Sequence, residues 1–330
     1  MNLLFKEKSV RSLLKSGIAE LRDAQVPSYT LAAELLLLHV LGRDRTWIYS
    51  HPEEEIMAPV AEQYSALVHR RAAGEPTQHL TGKQEFWGLE FEVTPDVLIP
   101  RPETEHVVEV ALDRLAMREV RVGRRQKTDG AGLRIADVGT GSGCIAIALA
   151  KELPAAAFVA TDISPAALVI ARRNATRHNV ATRIHFLEAD LLDGVLLGGA
   201  QHAAPLQLKA ATPKDSSHAL RGSEHLSHSF DLIVSNPPYV GRREAATLMR
   251  EVREHEPEIT LYGGEEGYEL YPELIAQAAE NLKPGGLLIL ELGHNSLPAV
   301  QSLLEECTWT KVGVTNDLAG IPRVLAAEKL

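Results

Sequence analysis

The chain has 330 residues, 45% of them hydrophobic and 24% charged. That is the balance of an ordinary globular protein with room for two domains, and it excludes fibrous, collagenous and low-complexity classes. A formal net charge of −10 argues against wrapping a nucleic-acid backbone, so no direct nucleic-acid binding is expected.

The opening "MNLLFKEKSVRSLL" lacks a continuous apolar core and a cleavage site, and no apolar run reaches membrane-spanning length, so a cytoplasmic protein with no membrane contact is expected. Cys144 and Cys307 lie far apart and form no ligand pattern. They read as reduced thiols, and no metal is expected.

Up to about Gly74 the pattern is helical. Val10, Leu13, Leu14, Ile18 and Leu21 recur at helical spacing, "LAAELLLLHVLG" ends on Gly42, and Pro59 opens a third helix carrying Val60, Tyr64, Leu67 and Val68. Three short helices over residues 1–77 predict a small bundle. In "LTGKQEFWGLEFEV", Leu89, Phe91 and Val93 alternate with Glu90 and Glu92, which predicts a hairpin. Thr104 then caps a helix carrying Val107, Val108, Ala111, Leu112 and Leu115. Hairpin and helix together span 78–117. The charged segment 118–132 reads as a flexible linker.

From 133 to 330 strands and helices alternate. "LRIADVG", "AAFVATD", "RIHFLEAD", "FDLIVSN" and "GGLLILEL" are the strand candidates, and the pattern predicts an α/β doubly wound sheet. Residues 196–228 are rich in Ala, Ser, His, Pro and Gly without periodicity and read as a disordered insertion. Its histidines, His202, His218, His225 and His228, are irregularly spaced and read as a solvated tract.

In an open α/β sheet the ligand sits at the carboxyl ends of the strands. The first strand ends in "DVGTGSGC". Gly139, Gly141 and Gly143 permit a tight turn and close backbone approach, and Thr140 lies between them. Cys144 stands where a dinucleotide fold has its third glycine, and no Lys or Arg occurs from Asp137 to Leu149. A phosphate cradle is therefore disfavoured. A ligand with a ribose and an amino-acid tail fits better, with Asp137 meeting an ammonium. Asp162 and its neighbour Ile163 end the second strand, and a carboxylate there can accept both ribose hydroxyls. Asp190 and Leu191 end the third, where Asp190 could accept from an adenine amino group.

The fourth strand ends in "SNPPYV". Prolines stiffen the turn, and Asn236 is pushed to an extended conformation by the proline after it. With these four strand ends the chain resembles the S-adenosylmethionine-dependent methyltransferases of the Rossmann-like class, and within them those that methylate planar amide or amino nitrogens. The segments "HLTGKQEFWGLEFEVTPDVLIPRPETE", "EPEITLYGGEEGYELY" and "DLAGIPRVL" narrow the resemblance to the peptide-chain release factor glutamine methyltransferases, the HemK/PrmC family.

The resemblance implies a Rossmann-like sheet with a small helical N-terminal substrate-docking domain joined by a β-hairpin connector. It implies N5-methylation of the glutamine in the Gly-Gly-Gln motif of class 1 peptide-chain release factors, with S-adenosyl-L-methionine as donor and S-adenosyl-L-homocysteine as product. Asp137, Gly139, Thr140, Gly141 and Gly143 would serve the cofactor, with Asp162, Ile163, Asp190, Leu191 and Asn236. Asn236, Pro237 and Tyr239 would hold the glutamine, bordered by Pro238, Arg101 and Glu103. The competing expectations are a ribosomal-protein glutamine and the exocyclic amine of a DNA or rRNA base.

Overall fold

The computed structural model describes residues 8–121, 129–195 and 230–330. The expected linker's centre and the insertion 196–228 lie outside them. The two-residue β1 (Lys8–Ser9) precedes α1 (Val10–Asp23), whose Ser9 cap accepts from the Ser12 amide. α2 (Tyr29–Leu41), α3 (Arg45–Ser50), β2 (Glu55–Ile56), α4 (Ala58–Ala72) and α5 (Thr77–Thr81) follow. β1 and β2 pair antiparallel. Leu13, Leu21, Leu36, Leu37, Tyr64 and Val68 bury their side chains together, which is how short helices gain the stability that propensity alone does not supply. Sequence periodicity shows α1, α2 and α4. It misses α3 and α5, which are too short to complete an amphipathic period.

β3 (Lys83–Phe86) and β4 (Leu89–Glu92) form an antiparallel hairpin. Trp87 and Gly88 both hold positive φ at its turn, the geometry that matches strand twist. Pro102–Thr104 is one turn of 3-10 helix, and α6 (Glu105–Arg121) continues from it, four residues beyond the expected helix end. Thr104 is therefore inside that turn rather than a cap.

The sheet consists of β5 (Arg134–Val138), β6 (Ala157–Asp162), β7 (Ile184–Glu188), β8 (Phe230–Ser235), β11 (Leu282–Glu291), β12 (Trp309–Asn316) and β13 (Pro322–Lys329). Between them in the chain run α7 (Cys144–Glu152), α8 (Pro165–Arg177), the two-residue β9 (Val240–Gly241), α9 (Arg250–His255), α10 (Glu258–Leu261), β10 (Tyr262–Gly264), α11 (Tyr271–Asn281) and α12 (Leu297–Gln301). The spatial order is β12-β13-β11-β8-β5-β6-β7. The five strands expected from sequence are parallel, and β13 and β12 extend the sheet antiparallel at one edge.

Alternate residues of each strand face two different cores. Ile135, Leu232, Val234 and Ile289 pack with α6, α7 and α8. Ala136, Val138, Ile233 and Leu290 pack with α11 and α12. Burial on both faces is what a near-continuous apolar strand encodes. Among the described residues no helix is long and apolar enough to cross a membrane.

Candidate active site

The carboxyl ends of β6, β5, β8 and β11 lie side by side, with Thr161, Val138, Ser235 and Leu290 in register. Everything emitted from these ends is thus gathered on one edge. The Ser235 hydroxyl donates to the Val138 carbonyl at 2.7 Å and ties two of them.

The glycine loop follows β5. Gly139 and Gly141 hold φ of 71° and 54°, a region that costs an L side chain about 1–2 kcal/mol. Beneath the loop Asp137 is fully buried. Its Oδ2 accepts from Thr140 Oγ1 at 2.7 Å and from the Ala146 amide at 3.1 Å, which pins the loop to the first turn of α7. Burial pushes its carboxyl up to about 6, against the pull of those two donors. Asp137 does not line the cavity; one of its oxygens anchors the loop, and the other, Oδ1, is buried without a partner. The loop also spends its own amides: Thr140 donates to the Thr161 carbonyl, Gly143 to the Thr140 carbonyl and Gly141 to Asp162 Oδ2 at 2.8 Å. Buried Asn174 adds a latch, donating to both the Ser142 and Glu92 carbonyls and so joining loop and hairpin.

Asp162 accepts a second amide, that of Ser164, on Oδ1 at 2.9 Å, and burial raises its carboxyl above the ordinary range. A carboxylate has about four acceptor positions, so two backbone bonds leave capacity for a ligand. Asp190 is exposed. Leu191 beside it adopts φ 51°, a conformation that non-glycine residues hold at functional sites when the surroundings impose it.

At the end of β8, Asn236 donates through Nδ2 to Thr104 Oγ1 at 3.0 Å, and its Oδ1 is buried without a partner. A buried acceptor without a donor costs on the order of 1–3 kcal/mol. The Tyr239 hydroxyl donates to Glu291 Oε1 at 3.1 Å, and burial raises the phenol well above its ordinary value. Glycines press on the same segment. A Cβ at Gly263 would lie 2.2 Å from the Pro238 carbonyl oxygen, and one at Gly267 2.4 Å from that of Tyr239.

A cavity of about 560 Å³ opens here, lined by Gly139, Gly141, Asp162, Ile163, Asp190, Leu191, Asn236 and Pro238 among the residues expected from sequence. Asp137, Thr140, Gly143, Pro237 and Tyr239 are not among the residues that line it. Arg101 and Glu103 are also outside it. The Arg101 guanidinium pairs with Glu256, whose other oxygen accepts from the Ile99 amide at 3.4 Å, and this fastens the connector to the segment before α10.

The remaining wall is Leu98, Ala189, Arg242, Glu258, Ile259, Thr260, Tyr262 and Leu270. The pairing of β9 with β10 places Tyr262 opposite Val240. Arg242 then stacks 4.8 Å from the Tyr262 ring centroid and pairs with Glu258 at 3.4 Å. "EPEITLYGG" carries this wall, yet no periodicity marks it.

Residues 12–82 match the family model described as the PrmC N-terminal domain, and residues 135–222 match a methyltransferase domain. The release factor glutamine methyltransferase of Koribacter versatilis is 40% identical over 97% of this chain and 99% of its own. That of Bradyrhizobium diazoefficiens is 38% identical over 99% and 97%. Among solved structures, a methyltransferase from Pyrococcus furiosus aligns at 17% identity with a TM-score of 0.46, covering 81% of this chain and 98% of that one.

Proposed function

Because the chain belongs to the release factor glutamine methyltransferases, we propose that it methylates N5 of the glutamine in the Gly-Gly-Gln motif of class 1 peptide-chain release factors. The methyl donor is S-adenosyl-L-methionine, which when bound supplies a methyl carbon made electrophilic by its sulfonium. The residues present fit that group. Asp162 and Asp190 put carboxylates in the cavity wall for hydroxyl and amino donors, and the absence of Lys or Arg from Asp137 to Leu149 suits a ligand without phosphates.

The observation that carries the reading is the unpartnered Asn236 Oδ1 in the wall of that cavity. A primary amide nitrogen is a poor nucleophile because its lone pair is delocalised, so it must be held in line rather than merely brought near. Its two N–H bonds need two acceptors. Asn236 Oδ1 supplies one and the Pro237 carbonyl the other. The prolines fix the spacing of those acceptors, since their φ is set by the ring. Pro238 borders the planar group from the cavity wall, and Tyr239 holds the turn from behind through Glu291.

Residues 1–77 serve in this reading as the docking surface for the factor. Tyr29, Leu31 and Leu35 of α2 expose apolar side chains, as an interaction surface does. The test offers the purified protein labelled S-adenosylmethionine with a release factor, a large-subunit ribosomal protein or DNA. Mass spectrometry should find one added methylene on the Gly-Gly-Gln glutamine. Methylation confined to either of the other two substrates would overturn the assignment.

A further inference from the structure

Glycines give a loop no side chains to pack, so the loop after β5 is held by polar groups brought to it from other elements. Asp137 of β5 accepts from the Thr140 hydroxyl, and Asp162 at the end of β6 accepts from the Gly141 amide. The next residue, Ser142, is held by Asn174 of α8, whose Nδ2 donates to the Ser142 carbonyl at 2.9 Å. Gly143 makes that reach possible. A Cβ there would lie 3.2 Å from the Cβ of Ala171, one helical turn before Asn174, so the glycine lets α8 close on the loop. Asn174 is itself fully buried. The rest of its amide is engaged with the hairpin, where Oδ1 accepts from the Glu92 amide at 2.7 Å and Nδ2 donates to the Glu92 carbonyl at 3.0 Å. The side chain thus pairs with β4 as the peptide group of a neighbouring strand would, and its second N–H serves the loop.

We infer that Asn174 is a positioning residue for the cofactor, setting the place of the glycine loop at the cavity by locking Ser142 to the hairpin strand β4. The inference rests on the reading of Gly139, Gly141 and Asp162 as the wall that faces the cofactor. Fastening the hairpin needs no such group. Phe86 and Phe91 bury their rings in the core shared with α7 and α8, and Arg173 and Arg177 pair with Glu92 and Glu90. A buried amide is costly to desolvate unless its hydrogen bonds are made, and what Asn174 adds to those contacts is the bond to Ser142. Ser142 directly follows Gly141, which lines the cavity, so a slack Ser142 would let that wall shift. α5 (Thr77–Thr81) runs directly into β3, so the hairpin that registers the loop also carries the helical part. Asn174 joins cofactor loop and connector into one bonded unit.

The experiment compares Asn174→Asp, Asn174→Ala, Arg173→Ala and Asp162→Ala by melting temperature, by calorimetric affinity for S-adenosylmethionine, and by kcat and KM with whichever of the three offered substrates the wild-type protein methylates. Asn174→Asp keeps the shape but turns an acceptor toward the Ser142 and Glu92 carbonyls. Both Asn174 variants should raise the dissociation constant and the KM for S-adenosylmethionine on the order of tenfold, the equivalent of one lost buried hydrogen bond. At saturating cofactor kcat should stay near wild type, as it does when binding alone is lost. Arg173→Ala, which removes a hairpin contact and leaves the loop bonds in place, should keep wild-type affinity; weakening equal to that of the Asn174 variants would assign the effect to hairpin docking and overturn the inference. A purely structural residue would lower the melting temperature and leave the affinity of the folded protein unchanged. That result in both Asn174 variants, with Asp162→Ala weakened, would overturn the inference and leave the cofactor site standing. Wild-type affinity in Asp162→Ala would remove the reading of the site and the inference with it. If the Asn174 variants do not fold, hydrogen exchange on the wild-type protein decides: S-adenosylmethionine should slow exchange at the Glu92 amide as well as in the loop, and protection confined to the loop would overturn the inference.

Discussion

Asn236 has one bond and one open acceptor, so its truncation should act on the reaction rather than on the cofactor. Asn236→Ala is expected to lower kcat by on the order of 10²-fold or more, the scale for a preorganised polar group at the reacting centre. Calorimetry should find S-adenosylmethionine binding nearly unchanged; a variant that loses cofactor affinity in proportion to rate would contradict the assignment. Asp162→Ala should do the reverse. It removes the acceptor proposed for the ligand together with the anchors of the Gly141 and Ser164 amides, and affinity should fall by about 1.5–3 kcal/mol. Unchanged affinity would take Asp162 out of the cofactor site. Glu291 gives a pH signature. Burial raises its carboxyl from 4.5 to about 7, with Thr104, Tyr239 and Arg323 pulling it down and Glu103 pushing it up. Between those values the folded state holds a proton that the unfolded chain has released, so stability falls as pH rises through the window. Asp137, raised from 3.8 to about 6, acts with the same sign but lower down. In Glu291→Gln the fall in melting temperature from about pH 6 to 7 should therefore flatten, while below pH 6 only the share carried by Asp137 remains. An unaltered slope would place the Glu291 carboxyl in its ordinary range.

At the scale of elements, a strand was legible where it is buried on both faces. β8 reads as an apolar run broken only by Asp231 before it closes on Ser235, and every one of its residues is buried. β12 was missed because it is an edge strand with only Trp309 buried and a register shift between Thr310 and Gly313. β13 was missed because it opens on Pro322 and pairs back over a turn. The same rule that finds Asp137, Asp162 and Asp190, a polar residue closing an apolar strand, also marks Glu291 in "LLILEL"; the signal was present and applies to the fifth strand end as to the first four. The far wall had no such signal, since β9 and β10 together are too short to show a period and meet across more than twenty residues of chain. What holds that wall is contact between backbones. Gly263→Ala would set a methyl 2.2 Å from the Pro238 carbonyl oxygen and 2.6 Å from that of Gly267. Backbone atoms cannot yield as a side-chain tip does, so destabilisation of about 1–3 kcal/mol is expected, with a lower kcat as the Asn-Pro-Pro-Tyr turn shifts. Wild-type stability and rate together would show that the turn tolerates displacement.

Across the whole molecule, the helical part is fastened to the methyltransferase part through α9. Arg71 of α4 pairs with Glu251 of α9 and donates to the Glu75 carbonyl, and five residues after Glu251 comes Glu256, which holds Arg101 and the Ile99 amide. A factor bound on the helices would therefore be presented to the cavity in a fixed relation. Leu31 and Leu35 stand one helical turn apart on α2, 48% and 39% exposed. They contribute little to the bundle, so Leu31→Ser with Leu35→Ser should leave stability within about 1 kcal/mol of wild type, about 0.5 kcal/mol for each surface substitution. If the helices carry recognition, binding energy remote from the reacting amide is lost. The intact factor should then be methylated with a several-fold lower kcat/KM, while a short peptide containing Gly-Gly-Gln, a poor substrate from the start, should be methylated at its wild-type rate. An equal fall for factor and peptide would point to damage at the site. No fall for either would move recognition from α2 to the rim formed by Arg242, Glu258 and Tyr262, where charge reversal at Arg242 becomes the decisive variant.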